Sequence, residues 1–184
     1  PYIKLFHHEE QMQIVILVDA SSSMLTDGKL HRAQQLAAAM STCGLFAAEP
    51  VSVYTFNQPT NNLPMVGPST GRGSLHKLLK FIENIESDEG GNQPPDNAVD
   101  TMLKRHRGKG VVVLLSDFLT YGDLKRTFNT LNNAGLEIFA CQVLGERELD
   151  PDLTSDLRLV DCENNDMLDV TVQDNLLGLY HEYL

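Results

Sequence analysis

Asp19, Ser21 and Ser23 stand at i, i+2 and i+4 in the run Val18-Asp19-Ala20-Ser21-Ser22-Ser23-Met24, which places one carboxylate and two alternate hydroxyls on one short stretch. A loop with this spacing can aim all three oxygens at one point, and such donors suit a hard divalent cation. A second carboxylate, Asp117, closes the apolar run Val111-Val112-Val113-Leu114-Leu115-Ser116. Two aspartates with neutral hydroxyls between them fit Mg²⁺, with Mn²⁺ or Ca²⁺ as alternatives, better than zinc, which prefers imidazole and thiolate. The competing reading is a turn in which Asp and Ser cap backbone amides. Asp117 alone would favour capping; the four residues in combination favour the cation.

Elements must bring these residues together. Ile14 to Val18 is continuously apolar and mostly β-branched, the pattern of a strand buried on both faces, and Val111 to Leu115 repeats it. Lys29 to Ala48 has near-helical apolar spacing, with Gly44 as its one weak point, and ends before Pro50. Val51 to Phe56 alternates as a strand, and Leu63 to Val66 is a candidate edge strand. Helical spacing returns from Ser74 to Ile85. It is lost from Ser87 to Pro95 and resumes through Leu103, with Pro94 and Pro95 in the first turn.

Asp123 to Asn133 reads as a helix stopped at Gly135, Leu136 to Leu144 as a strand, residues 158–162 and 167–172 as a hairpin, and residues 174–184 as a closing helix. Alternating helices and all-apolar strands predict a doubly wound, mainly parallel α/β domain with helices on both faces. In such Rossmann-like folds ligands bind beyond the carboxyl ends of the strands, where Asp19 and Asp117 are expected.

The 184 residues fit a single domain over 1–184, and the start at Pro1, with no initiator Met, suggests a piece of a longer protein. A net charge of -11 argues against nucleic acid as partner. The basic stretch Lys104-Arg105-His106-Arg107-Gly108-Lys109 reads as a helix end. No apolar run approaches the roughly 20 residues that span a bilayer, so no membrane contact is expected of this segment. Three scattered cysteines, without a C-x-x-C pair, point to a reducing, cytoplasmic setting, with Cys43 and Cys141 on apolar faces as core residues. The tandem His7-His8 reads as a solvated strand end, and the scattered His31, His76, His106 and His181 as surface or helix-end residues.

The motif resembles that of the von Willebrand factor A (vWA) domains, whose metal-ion-dependent adhesion site (MIDAS) carries D-x-S-x-S after the first strand; Asp19-Ala20-Ser21-Ser22-Ser23 matches it. Ser116-Asp117-Phe118 occupies the place of that family's third metal loop. The second loop ordinarily brings a Thr after a Gly-Gly pair; here Gly90-Gly91 is followed by Asn92. Within that superfamily the chain most resembles the uncharacterised bacterial family numbered fifty-eight among domains of unknown function, at Pro1 to Phe6, Val18 to Met24, Lys29 to Ala33, Leu115 to Leu119 and Gln142 to Leu144.

The resemblance implies that Ser21 and Ser23 bind Mg²⁺ directly, that Asp19 and Asp117 act directly or through water, and that Asn92 offers a carbonyl oxygen in place of the Thr hydroxyl. It implies a protein partner whose Glu or Asp completes the shell, with a MoxR-type AAA+ ATPase as a candidate. The expected function is therefore metal-dependent protein binding, not catalysis.

Enzyme alternatives are poorly served. A haloacid-dehalogenase-type phosphatase needs a second Asp where Ser21 stands, and no G-x-S-x-G elbow or G-x-x-x-x-G-K-[ST] loop occurs. A receiver domain would need an acidic pair that the chain does not provide. A Mg²⁺-dependent phosphoryl hydrolase using Asp19 is the alternative from a different class.

Overall fold

The computed structural model describes residues 11–57, 63–87, 95–106, 108–119, 123–151, 157–161, 166–170 and 176–183. Its centre is a five-stranded sheet of order β3-β2-β1-β4-β5. The strands are β1 (Gln13–Asp19), β2 (Val51–Phe56), β3 (Met65–Ser69), β4 (Gly110–Ser116) and β5 (Leu136–Gln142). All neighbours run parallel except β3, which lies antiparallel on β2. The doubly wound reading thus holds. The edge strand begins two residues later and runs further than its apolar pattern suggests.

Period-two alternation divides the side chains of β1 and β4 between two cores. Ile16, Val18, Val113 and Leu115 pack beneath α1 (Lys29–Phe46) and α2 (Leu75–Glu83). Val15, Leu17, Val112 and Leu114 pack against α3 (Pro95–Arg105) and α4 (Leu124–Asn133). Covering both faces is why these strands carry no polar interruption.

Local signals set the helix ends. Pro95 opens α3, the Asp123 side chain accepts a bond from Arg126 N at 3.1 Å, and Gly135 follows α4 with φ +78°. Gly44 is not a weak point of α1 but a requirement. A Cβ there would lie 2.6 Å from Val51 Cγ2 and 2.8 Å from Ile14 Cδ1, so only glycine lets the helix settle this closely on the sheet.

Beyond the sheet lie a short helix, α5 (Glu146–Leu149), the antiparallel pair β6 (Leu157–Val160) and β7 (Met167–Val170), and α6 (Leu176–Tyr183). The hairpin and the closing helix match their expected places, and residues 162, 171, 172, 174, 175 and 184 of those expectations lie outside the described residues; α5 was not expected from the sequence. Across the hairpin the Arg158 guanidinium donates to both Asp169 oxygens, at 2.7 and 3.3 Å.

One expectation fails: Cys43 is exposed, because its position on α1 turns away from the sheet. His106 stands at a helix end as expected, directly after α3, and is buried at 8% exposure. Among the described residues no helix is long and apolar enough to cross a membrane.

Candidate functional site

The chain passes from β1 to β2 on one side and reaches β4 on the other, so the strand order reverses between β1 and β4. Asp19 is the last residue of β1 and Asp117 the first after β4, which puts both carboxylates at this switch point.

Asp19 is 3% exposed and gathers three donors. Its Oδ1 accepts from Ser21 N and from Asn57 Nδ2, each at 2.9 Å. Its Oδ2 accepts from Ser116 Oγ at 2.5 Å. Burial pushes the Asp19 carboxyl above its ordinary range, while the bonds from Ser116, Asn57 and Ser21 pull it back only in part.

Ser21 Oγ and Ser23 Oγ lie 3.0 Å apart, both nearly buried. The loop is held from outside by Ser87 Oγ, which donates to the Ser21 carbonyl at 2.9 Å, and from within by Thr26 Oγ1, which donates to the Ser23 carbonyl at 2.8 Å.

The loop then turns through two consecutive left-handed residues, Asp27 (φ 51°) and Gly28 (φ 71°), and delivers Lys29 as the first residue of α1. Lys29 is 1% exposed. Its ammonium donates to Asp117 Oδ2 at 2.8 Å and also to Glu148 Oε1 of α5. Burial works against the charged ammonium, but the two carboxylates outweigh it and raise Lys29 above the ordinary lysine value. The other Asp117 oxygen accepts from Leu119 N at 3.0 Å, so both are engaged. On α5, Glu148 Oε2 accepts from Gly145 N at 2.8 Å, and the Glu148 carbonyl accepts from Tyr180 OH of α6 at 2.6 Å.

Asp19, Ser21 and Ser23 therefore form one hydrogen-bonded group, and Ser116 joins it to the strand end that bears Asp117. Asn92 lies outside the described residues, as do Gly90 and Gly91.

Sequence reasoning missed Lys29, Glu148, Asn57 and Ser87 as members of this cluster. Lys29 carried a readable signal, since a cation in the first turn of a helix opposes the helix dipole. Glu148 is 119 residues from Lys29 and carried none.

The donor set suits a hard cation in one measurable respect. Neighbouring vertices of an octahedron with metal–oxygen distances of about 2.1 Å are about 3.0 Å apart, and the two serine oxygens have that separation. Among the described residues no three His, Cys, Asp or Glu side chains converge as metal ligands, so a cation here would depend on hydroxyls.

Fold and cluster together define a doubly wound α/β domain with an oxygen-rich switch point. The chain belongs to the family described as "Protein of unknown function DUF58", whose model matches residues 1–182. No curated protein matches the sequence.

Solved structures share the fold, among them these two. Proximal thread matrix protein 1 from the mussel byssus aligns at TM-score 0.56 and 14% identity over 71% of this chain, which spans 37% of that chain. An aerotolerance-related membrane protein from Bacteroides fragilis aligns at TM-score 0.54 and 15% identity, covering 93% of this chain and 87% of that one.

Proposed function

We propose that the β1 and β4 strand ends form a MIDAS-type site of a vWA-like domain, which holds Mg²⁺ and uses it to capture a carboxylate of a partner protein. The observation that carries this reading is the 3.0 Å separation of Ser21 Oγ and Ser23 Oγ beside Asp19. In this site the two hydroxyls ligate the metal, Asp19 and Asp117 act through water, and Asn92 lends a carbonyl oxygen. Lys29 neutralises Asp117, so the bound cation keeps much of its charge and attracts a Glu or Asp from outside. A MoxR-type AAA+ ATPase in the cytoplasm is the candidate partner.

Engagement of both Asp19 oxygens by three donors disfavours its use as a phosphoryl nucleophile. Calorimetric titration with Mg²⁺ and Mn²⁺ tests the proposal. The wild-type domain should bind one ion, and a Ser21→Ala/Ser23→Ala variant that remains folded should lose most of the affinity. Equal binding by both would overturn the assignment. Mg²⁺-dependent turnover of p-nitrophenyl phosphate that disappears in Asp19→Asn would replace it with the hydrolase.

A further inference from the structure

A second feature lies apart from the serine cluster, between α2 and the edge strand β3. There a groove of about 420 Å³ has a floor of Met65, Val66, Phe81 and Ile85 and a rim carrying Lys77 and Lys80. A third cation stands beside it, with Arg105 Nη1 2.8 Å from Met65 Sδ.

The charge pattern is unusual for this protein. The chain as a whole carries -11, yet among the described residues no acidic side chain lines the groove. Among the described residues none of these three cations is ion-paired. Thr55 of β2 also lines the groove; it is 1% exposed, and its Oγ1 has no hydrogen-bond partner among the described residues. A buried hydroxyl without a partner is left unsatisfied at a cost in stability, which a bound polar group would recover.

We propose that this groove docks an acidic peptide segment of a partner protein. An apolar side chain enters between Phe81 and Val66, flanking carboxylates meet Lys77 and Lys80, and a peptide group meets the Thr55 hydroxyl. Charge complementarity selects this occupant. Three cations around a recess attract a short acidic segment, whereas a lipid surface is flat and does not enter one. Thr55 precedes Asn57 by two residues and Ile85 precedes Ser87 by two, so two groove residues lie close in sequence to side chains that bond to the serine cluster. Binding here needs no cation, so it stands or falls independently of the metal reading.

The test is an NMR titration of the ¹⁵N-labelled protein in excess EDTA. The probes are the peptide Ac-Glu-Glu-Leu-Phe-Glu-Glu-NH₂ and its Lys-for-Glu counterpart. The acidic peptide should give saturable shifts at Thr55, Val66, Phe81 and Ile85, and the basic one should not. Lys77→Glu/Lys80→Glu should weaken the acidic peptide about tenfold, the equivalent of about 1.4 kcal/mol from two rim charges. Thr55→Val should weaken it severalfold while leaving the melting temperature unchanged or higher, a combination that a purely structural threonine would not give.

The Ser21→Ala/Ser23→Ala variant should bind the peptide as the wild type does. Absence of shifts at the groove, equal response to the basic peptide, or loss of binding in the serine variant would each overturn the proposal. So would a groove that responds to anionic phosphatidylglycerol vesicles and not to the peptide.

Discussion

Lys29 Nζ lies 2.8 Å from Asp117 Oδ2, and neither side chain is more than 2% exposed. A buried ammonium and carboxylate at this separation are costly to desolvate and depend on each other, so removing one strands the other. Glu148 makes the arrangement a triad that ties β4, α1 and α5 together.

Lys29→Met should therefore destabilise the domain by about 3–5 kcal/mol in urea unfolding, the usual cost of breaking a buried pair. Because the carboxylates raise Lys29, their help is fully present below the unfolded value of 10.5 and is lost only as the pH climbs through the higher folded value. The stability difference between wild type and variant should accordingly stay level through neutral pH and shrink in strong alkali. A difference that already shrinks between about pH 7 and about pH 10 would contradict the triad.

How much of this was legible in the sequence depended on whether the cause was local. The two double-faced strands, the Asp19-x-Ser21-x-Ser23 turn and the Asp117 strand end follow from patterns of a few residues, and each lies where those patterns put it. The stop at Gly135 and the cap at Asp123 are equally local. Contacts made only by folding were invisible. The approach of Glu148 to Lys29 and of Ser87 to Ser21 joins segments with no shared periodicity. Burial of His106 also escaped notice, because a histidine after a basic helix end reads as solvent-facing.

Gly44 separates local propensity from packing. In an isolated helix alanine is favoured over glycine by about 1 kcal/mol. Here the added Cβ would press on Val51 and Ile14, and overpacking of this kind costs about 1–3 kcal/mol. Gly44→Ala should lower the urea midpoint despite its helix propensity, and adding Val51→Ala should recover part of the loss. A Gly44→Ala protein more stable than the wild type would show that the helix can shift without cost.

His106 supplies an acid sensitivity. It is 8% exposed, its Nε2 lacks a partner among the described residues, and burial lowers its affinity for protons below the ordinary 6.5. The unfolded chain therefore takes up the proton first as the pH falls. The stability this group allows is present above pH 6.5 and is lost as the pH drops through the lower folded value. Wild type should lose stability as the pH falls below the ordinary 6.5, and His106→Phe should lose less over the same range. Parallel pH profiles would mean that His106 protonates without penalty in the folded state.

Metal should register in stability as well as in binding. A ligand that binds only the folded state adds about 1.4 kcal/mol at ten times its dissociation constant, or about 3–6 °C in melting temperature for a domain of this size. Mg²⁺ should raise the melting temperature by that order, EDTA should reverse the gain, and Ser21→Ala/Ser23→Ala should abolish it. Lys29→Met adds a discriminating arm. The ammonium occupies Asp117 Oδ2 and repels a nearby cation, so its removal frees a carboxylate oxygen for the metal. The variant should start from a lower melting temperature yet gain more from Mg²⁺ than the wild type. Equal gains would place Asp117 outside the reach of the ion, and a gain that survives in the serine double variant would move the metal to another site.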